Sequence, residues 1–200
     1  MDGIIFNTED LAHDAFVKLA NEFGGIFEEK DHKAILGSTQ SFWSQYLMNK
    51  WSISMKDEEF AGLFWKRLED ETKNSLTFMP GFLTLIQHLQ NRSYKIALVT
   101  SSPRHEAESM LQRFDIHHFF DETVTGDEIE HGKPDPSPYQ LAMKCLNVSP
   151  DESVVIEDSL SGVRSGKAAG CYVIAIPTIH AEGLNYKEAD VVLNSLEEIV

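Results

Sequence analysis

Two carboxylates stand side by side where an apolar run ends: SVVIEDS, residues 153–159, closes on Glu157 and Asp158. Adjacent anions at the end of a buried strand repel each other unless a cation lies between them, which points to a hard divalent metal, or to an acidic loop capping the next helix. A second candidate is Thr100-Ser101-Ser102, which ends KIALVT just before Pro103, where a helix is expected to start. Hydroxyls and backbone N–H groups there suit a phosphate, unless the side chains serve only as helix caps. Lys133, in HGKPDP, is a third. Two prolines stiffen its loop, so its ammonium is either presented to an anion or is a solvated turn residue. The fourth is Asp2 in MDGIIFNTE, which looks like the end of a catalytic loop whose delivering strand is missing.

These loops need elements to hold them. From residue 82 onward, helical stripes alternate with short apolar runs. Phe82, Leu85, Ile86 and Leu89 share one helical face, Ala107, Met110, Leu111 and Phe114 a second, and Tyr139, Ala142, Cys145 and Leu146 a third. Between and after them KIALVT (95–100), TVTG (123–126), SVVIE (153–157), CYVIAI (171–176) and DVVL (190–193) read as strands. This βαβα order predicts an α/β fold, a Rossmann-like doubly wound parallel sheet with helices on both faces. In such sheets ligands bind beyond the carboxyl ends of the strands, where the four candidates fall.

Residues 10–78 carry helical stripes only: Leu11, Ala15, Phe16, Leu19 and Phe23, then Phe60, Leu63, Phe64 and Leu68, with a further helix expected near Ser41 to Lys50. The MPG at 79–81, with Pro80 at the start of the next helix, marks the return to the core. The expected division is a core of residues 1–9 and 79–200 with an inserted all-helical cap of residues 10–78.

A formal charge of −15 disfavours nucleic acid and anionic membrane as partners. Cys145 and Cys171 sit in apolar runs and read as small buried thiols, which suits a reducing compartment, the cytoplasm. No apolar run has the length of a membrane span, and a monomer is expected.

Taken together, MDGIIFNTE, LVTSS, GKPDP and VIEDSLSGVRSGKAAG resemble the haloacid dehalogenase-like hydrolase superfamily. More narrowly, the chain is similar to the subgroup of β-phosphoglucomutase and small phosphate-monoester phosphatases, which carry a helical cap after the first catalytic loop. That family's first motif is D-x-D-G, with the first Asp the nucleophile and the second the general acid/base. Met1 takes the x position here and Asp2 the second Asp. The resemblance therefore implies a nucleophile just before Met1, an absent first core strand and a shortened, inactive chain. It also implies Mg²⁺ held by Glu157, Asp158, the missing Asp and the backbone carbonyl of Asp2, and a phosphoryl group held by Thr100, Ser101, Ser102 and Lys133.

The implied function is hydrolysis of a small phosphorylated metabolite through an aspartyl phosphate. Substrate choice would reside in the cap. After Gly37 the run is Ser38-Thr39-Gln40, and neutral Gln40 stands where the mutase resembles an Arg clamp for a second phosphate. Asn7 and Ala12 also replace the Asp and His common in the linker between core and cap. The alternatives are a β-phosphoglucomutase-like mutase and a catalytically dead paralogue kept for binding.

Overall fold

The computed structural model describes every residue except Gly37 and Glu182. Gly37, the cap position named above, thus lies outside the described residues. The chain divides into two compact units: Phe6–Thr77 with Thr178–Glu182, and Met1–Ile5 with Phe78–Pro177 and Gly183–Val200. Compared with the division expected from sequence, the helical unit begins at Phe6 and takes in residues 178–182 from far along the chain.

The helical unit contains α1 (Thr8–Glu22), α2 (Glu29–Ile35), α3 (Gln40–Lys50) and α4 (Asp57–Ser75). The periodic residues are buried as their spacing requires: Leu11, Ala15, Phe16 and Leu19 on α1, Phe60 and Phe64 on α4. The Phe16 and Phe64 rings stack with centroids 4.0 Å apart, and Trp43 of α3 meets both edge-on at 5.3 and 5.0 Å.

Helix α2, EKDHKAI, was not foreseen, because it has no apolar stripe to betray it. Its anchor is polar. Asp31 is fully buried, accepts hydrogen bonds from Glu28 N at 2.8 Å and Tyr46 Oη at 2.9 Å, and pairs with Lys50. Burial raises its pKa, but the Lys50 and Glu28 hydrogen bonds and that from Tyr46 outweigh this, and the carboxyl is held below its ordinary value of 3.8.

The second unit alternates strand and helix: α5 (Phe82–Asn91), β1 (Ala97–Val99), α6 (Arg104–Arg113), β2 (Glu122–Val124), α7 (Ser137–Leu146), β3 (Val154–Glu157), α8 (Leu160–Ala168), β4 (Tyr172–Ala175) and β5 (Val191–Val192). Every strand pair is parallel, with Ala97 opposite Glu122, Val154 opposite Tyr172 and Ile174 opposite Val191. This is the α/β architecture read from the sequence. The ladders form two sheets, β1–β2 and β3–β4–β5, and among the described residues none joins β1 to β3. Helix α8 lies flush on the second sheet at Gly166, where a Cβ would come within 2.9 Å of Val173 Cγ2 and 3.1 Å of Val155 Cγ1.

Two local readings are corrected. Cys145 is exposed while Cys171 is buried. On α7 the buried set is Tyr139, Ala142 and Met143, and position 145 has turned some 240° from Tyr139 at about 100° per residue. Pro80 does not start α5, whose N-cap is Gly81. Among the described residues no helix is long and apolar enough to cross a membrane.

Asp31→Ala should destabilise the helical unit by about 2–3 kcal/mol at neutral pH, since it strands Lys50 and the Glu28 N–H. Because the folded-state pKa is depressed, this contribution is complete above the unfolded value near 3.8 and is lost as pH falls through the lower folded value. Denaturant melts of the two proteins should therefore diverge at pH 7 and converge in strong acid; a gap independent of pH would refute the assignment.

Candidate active site

Strand β1 delivers the hydroxyl loop. Thr100 N extends the ladder by donating to Val124 O at 3.0 Å, and Thr100 Oγ1 accepts from Ser102 N at 3.1 Å, which closes a tight turn. Ser102 Oγ then donates to Asp2 Oδ2 at 3.4 Å, although the residues are 100 positions apart. Thr100 is buried, Ser102 half-buried and Ser101 exposed. The cap alternative does not describe these hydroxyls. The N-cap of α6 is Pro103, and its Arg104 N donates to Asp127 Oδ1 at 3.1 Å.

Lys133 is not a solvated turn residue. Its side chain is 11% exposed, and Nζ donates to Glu157 Oε1 at 2.5 Å and to Val99 O at 3.2 Å while lying 5.1 Å from the centre of the Tyr139 ring. The ammonium thus spans the ends of β1 and β3.

Glu157, the last residue of β3, is 4% exposed and uses both oxygens. Oε1 accepts from Lys133 and from Tyr139 Oη at 2.5 Å; Oε2 accepts from Ser159 Oγ at 3.0 Å and Ser159 N at 3.3 Å. Burial pushes its pKa up, but the Lys133 charge and hydrogen bond, with the Tyr139 hydrogen bond, hold it below the ordinary value. Burial first, and the Glu157 charge second, push the Tyr139 phenol well up, so it stays protonated and donating. The carboxyl packs so closely on the first turn of α8 that a Cβ at Gly162 would stand 1.9 Å from its carbon. Ser159 caps that helix, its Oγ accepting from Gly162 N at 3.0 Å, so neither acidic residue does so directly. Lys133 places a positive charge on Glu157 at the end of β3. Asp158 is half-buried, and its backbone oxygen accepts from Tyr186 Oη at 2.6 Å.

Asp2, Thr100, Ser101, Ser102, Lys133, Glu157 and Asp158 all belong to the α/β unit. Gln40 belongs to the helical unit, where its Oε1 accepts from Trp65 Nε1 at 2.9 Å. Beside it in sequence, Ser38 lines a cavity of about 160 Å³ with Glu9, His32, Trp43 and Phe64, and its hydroxyl has no hydrogen-bond partner among the described residues. Sequence reasoning missed Tyr139, Ser159 and Gly162. Tyr139 had the place of a stripe residue, and only its phenol distinguished it from a neighbouring core position.

The donors at the end of β3 suit a hard cation. They are carboxylate oxygens, and Glu157 is held ionised at neutral pH even though buried. Both Glu157 oxygens already accept hydrogen bonds from Lys133, Tyr139 and Ser159, so a cation here would share or replace those contacts.

The chain is 36% identical over 174 residues to the phosphorylated carbohydrates phosphatase of Thermotoga maritima, covering 85% of this chain and 79% of that protein. It is 30% identical over 208 residues to the validoxylamine A 7′-phosphate phosphatase of Streptomyces hygroscopicus subsp. limoneus, covering all of this chain and 92% of that protein. A solved Thermotoga maritima structure, provisionally named a β-phosphoglucomutase, superposes with a TM-score of 0.83 at 31% identity, covering all of this chain and 93% of the other. The family profile described as haloacid dehalogenase-like hydrolase matches residues 1–176. With its parallel strands, and with that profile spanning most of its length, the chain belongs to the haloacid dehalogenase-like hydrolase family.

Proposed function

We propose that the α/β unit hydrolyses phosphate monoesters of small hydroxylated metabolites by two-step phosphoryl transfer. The observation that carries this reading is the hydrogen bond from Ser102 Oγ to Asp2 Oδ2, which sets a candidate general acid beside a candidate phosphate loop. In the family's D-x-D-G motif the first Asp is the nucleophile. Its carboxylate would attack phosphorus, the bond to the leaving oxygen would break, and Asp2 would give that oxygen its proton. Water would then attack the phosphorus of the aspartyl phosphate and return a proton to Asp2. Ser102 Oγ can donate to the ionised form of Asp2 between the two steps.

Thr100, Ser101, Ser102 and Lys133 would hold the phosphoryl oxygens, with Lys133 already fixed by Glu157 and Val99 O. Glu157, Asp158 and the Asp2 carbonyl would hold Mg²⁺, which when bound supplies the positive charge that lets one anion approach another. Similarity to a phosphorylated carbohydrates phosphatase and a validoxylamine phosphate phosphatase supports a hydroxylated substrate. For specificity, neutral Gln40 offers no clamp for a second phosphate.

The test uses the chain extended by the motif's Asp. With Mg²⁺ it should hydrolyse sugar and polyol monophosphates faster than it isomerises β-glucose 1-phosphate; the reverse ranking would establish the mutase. Asp2→Asn should cost roughly 10²–10⁴-fold in kcat. Full activity in a chelator, or in Asp158→Ala, would overturn the metal assignment.

Gly162→Ala offers a separate check on the Glu157 seat. The new methyl must displace the Glu157 carboxyl, so a fall of about 10-fold or more in activity is expected, with impaired metal dependence. Unchanged kinetics would mean that the position of Glu157 is immaterial to catalysis.

A further inference from the structure

We propose that the helical unit holds a second metal site, built from His13, His32 and His180 with Glu29 beside them, and suited to a borderline first-row divalent ion such as Zn²⁺. His13 lies on α1, Glu29 and His32 lie three residues apart on one face of α2, and His180 lies on the short 3-10 turn Ile179–Ala181. One ring nitrogen from each histidine falls within 4.8 Å of the others. His13 Nδ1 and His32 Nδ1 are 2.9 Å apart, and Glu29 Oε1 lies 3.8 Å from His13 Nδ1 and 3.1 Å from His180 Nδ1. The three rings are nearly parallel, at 6–11° to one another, with centroids 4.4–5.2 Å apart.

Carboxylates stand near the outer nitrogens of two of the histidines. His180 Nε2 faces Asp10 Oδ1 at 3.2 Å, and His32 Nε2 faces Glu9 Oε2 at 3.5 Å. His180 Nδ1 donates to the Glu29 carboxylate at 3.1 Å, so an ion at this nitrogen would displace that proton. Three imidazoles suit Zn²⁺, whereas Mg²⁺ prefers oxygen donors. The bound ion would pin residues 178–182 to α1 and α2. None of these ligands takes part in the chemistry proposed for the α/β unit.

The full 200-residue chain, stripped with a chelator, should be titrated with Zn²⁺ by calorimetry in an excess of Mg²⁺ that occupies oxygen-only sites. One Zn²⁺ per chain is expected, with affinity at least about 100-fold weaker in both His13→Gln and His180→Gln. Co²⁺ in the same site should give the intense visible bands of a four-coordinate ion, a readout on the unaltered protein that is independent of how either variant folds. Absence of Zn²⁺ binding against Mg²⁺, equal binding in folded variants, or a weak six-coordinate Co²⁺ spectrum would each overturn the proposal.

Discussion

A carboxylate taken out of water costs several kcal/mol unless donors surround it, and the α/β unit is organised around meeting that demand at Glu157. Each donor arrives on a different piece of chain: Lys133 from the loop before α7, Tyr139 from α7 itself, Ser159 from the cap of α8. Gly162 contributes by having no side chain where the carboxyl must sit. The same network fixes the Lys133 ammonium, which also reaches the Val99 carbonyl at the end of β1. Folding the strand end, the loop and two helices is therefore a single act of satisfying one buried charge. Its by-product is a fixed cation next to the hydroxyl loop.

The helical unit applies the same rule at Asp31, whose buried charge is matched by Lys50, Tyr46 and the Glu28 N–H. Here the polar anchor fixes α2, the element whose sequence carries the least apolar information. The aromatic packing of Phe16, Phe64 and Trp43 then needs only α1, α3 and α4, which are the helices with readable stripes.

That contrast explains what could be read before the structure. Apolar spacing is a local signal, so the stripes of α1, α4 and α5, the strand runs and the α/β order were legible from it. Thr100 and Glu157 stood out as polar residues that end those runs, whereas Asp2 and Lys133 end none and were singled out by their motifs. Tyr139, Ser159 and Gly162 were not, since their importance lies in distances to Glu157 that no spacing encodes. Cys145 failed for a geometric reason, being on the wrong side of a helix that stops at Leu146. The histidine group was invisible, because His180 lies 148 positions from His32 in sequence yet stacks on it at 4.4 Å.

Residues 178–182 belong to the helical unit although the chain has long since left it. The unit is therefore not a cassette with one entrance and one exit. A transplant of residues 6–77 into another core would leave behind buried His180 and Ala181, and would leave uncovered the α1 and α2 side chains against which His180 stacks and pairs. Exchange of caps between relatives, whether by recombination or by an engineer, succeeds only if the loop after β4 travels with the insertion, which ties the evolution of two distant stretches of the gene to each other.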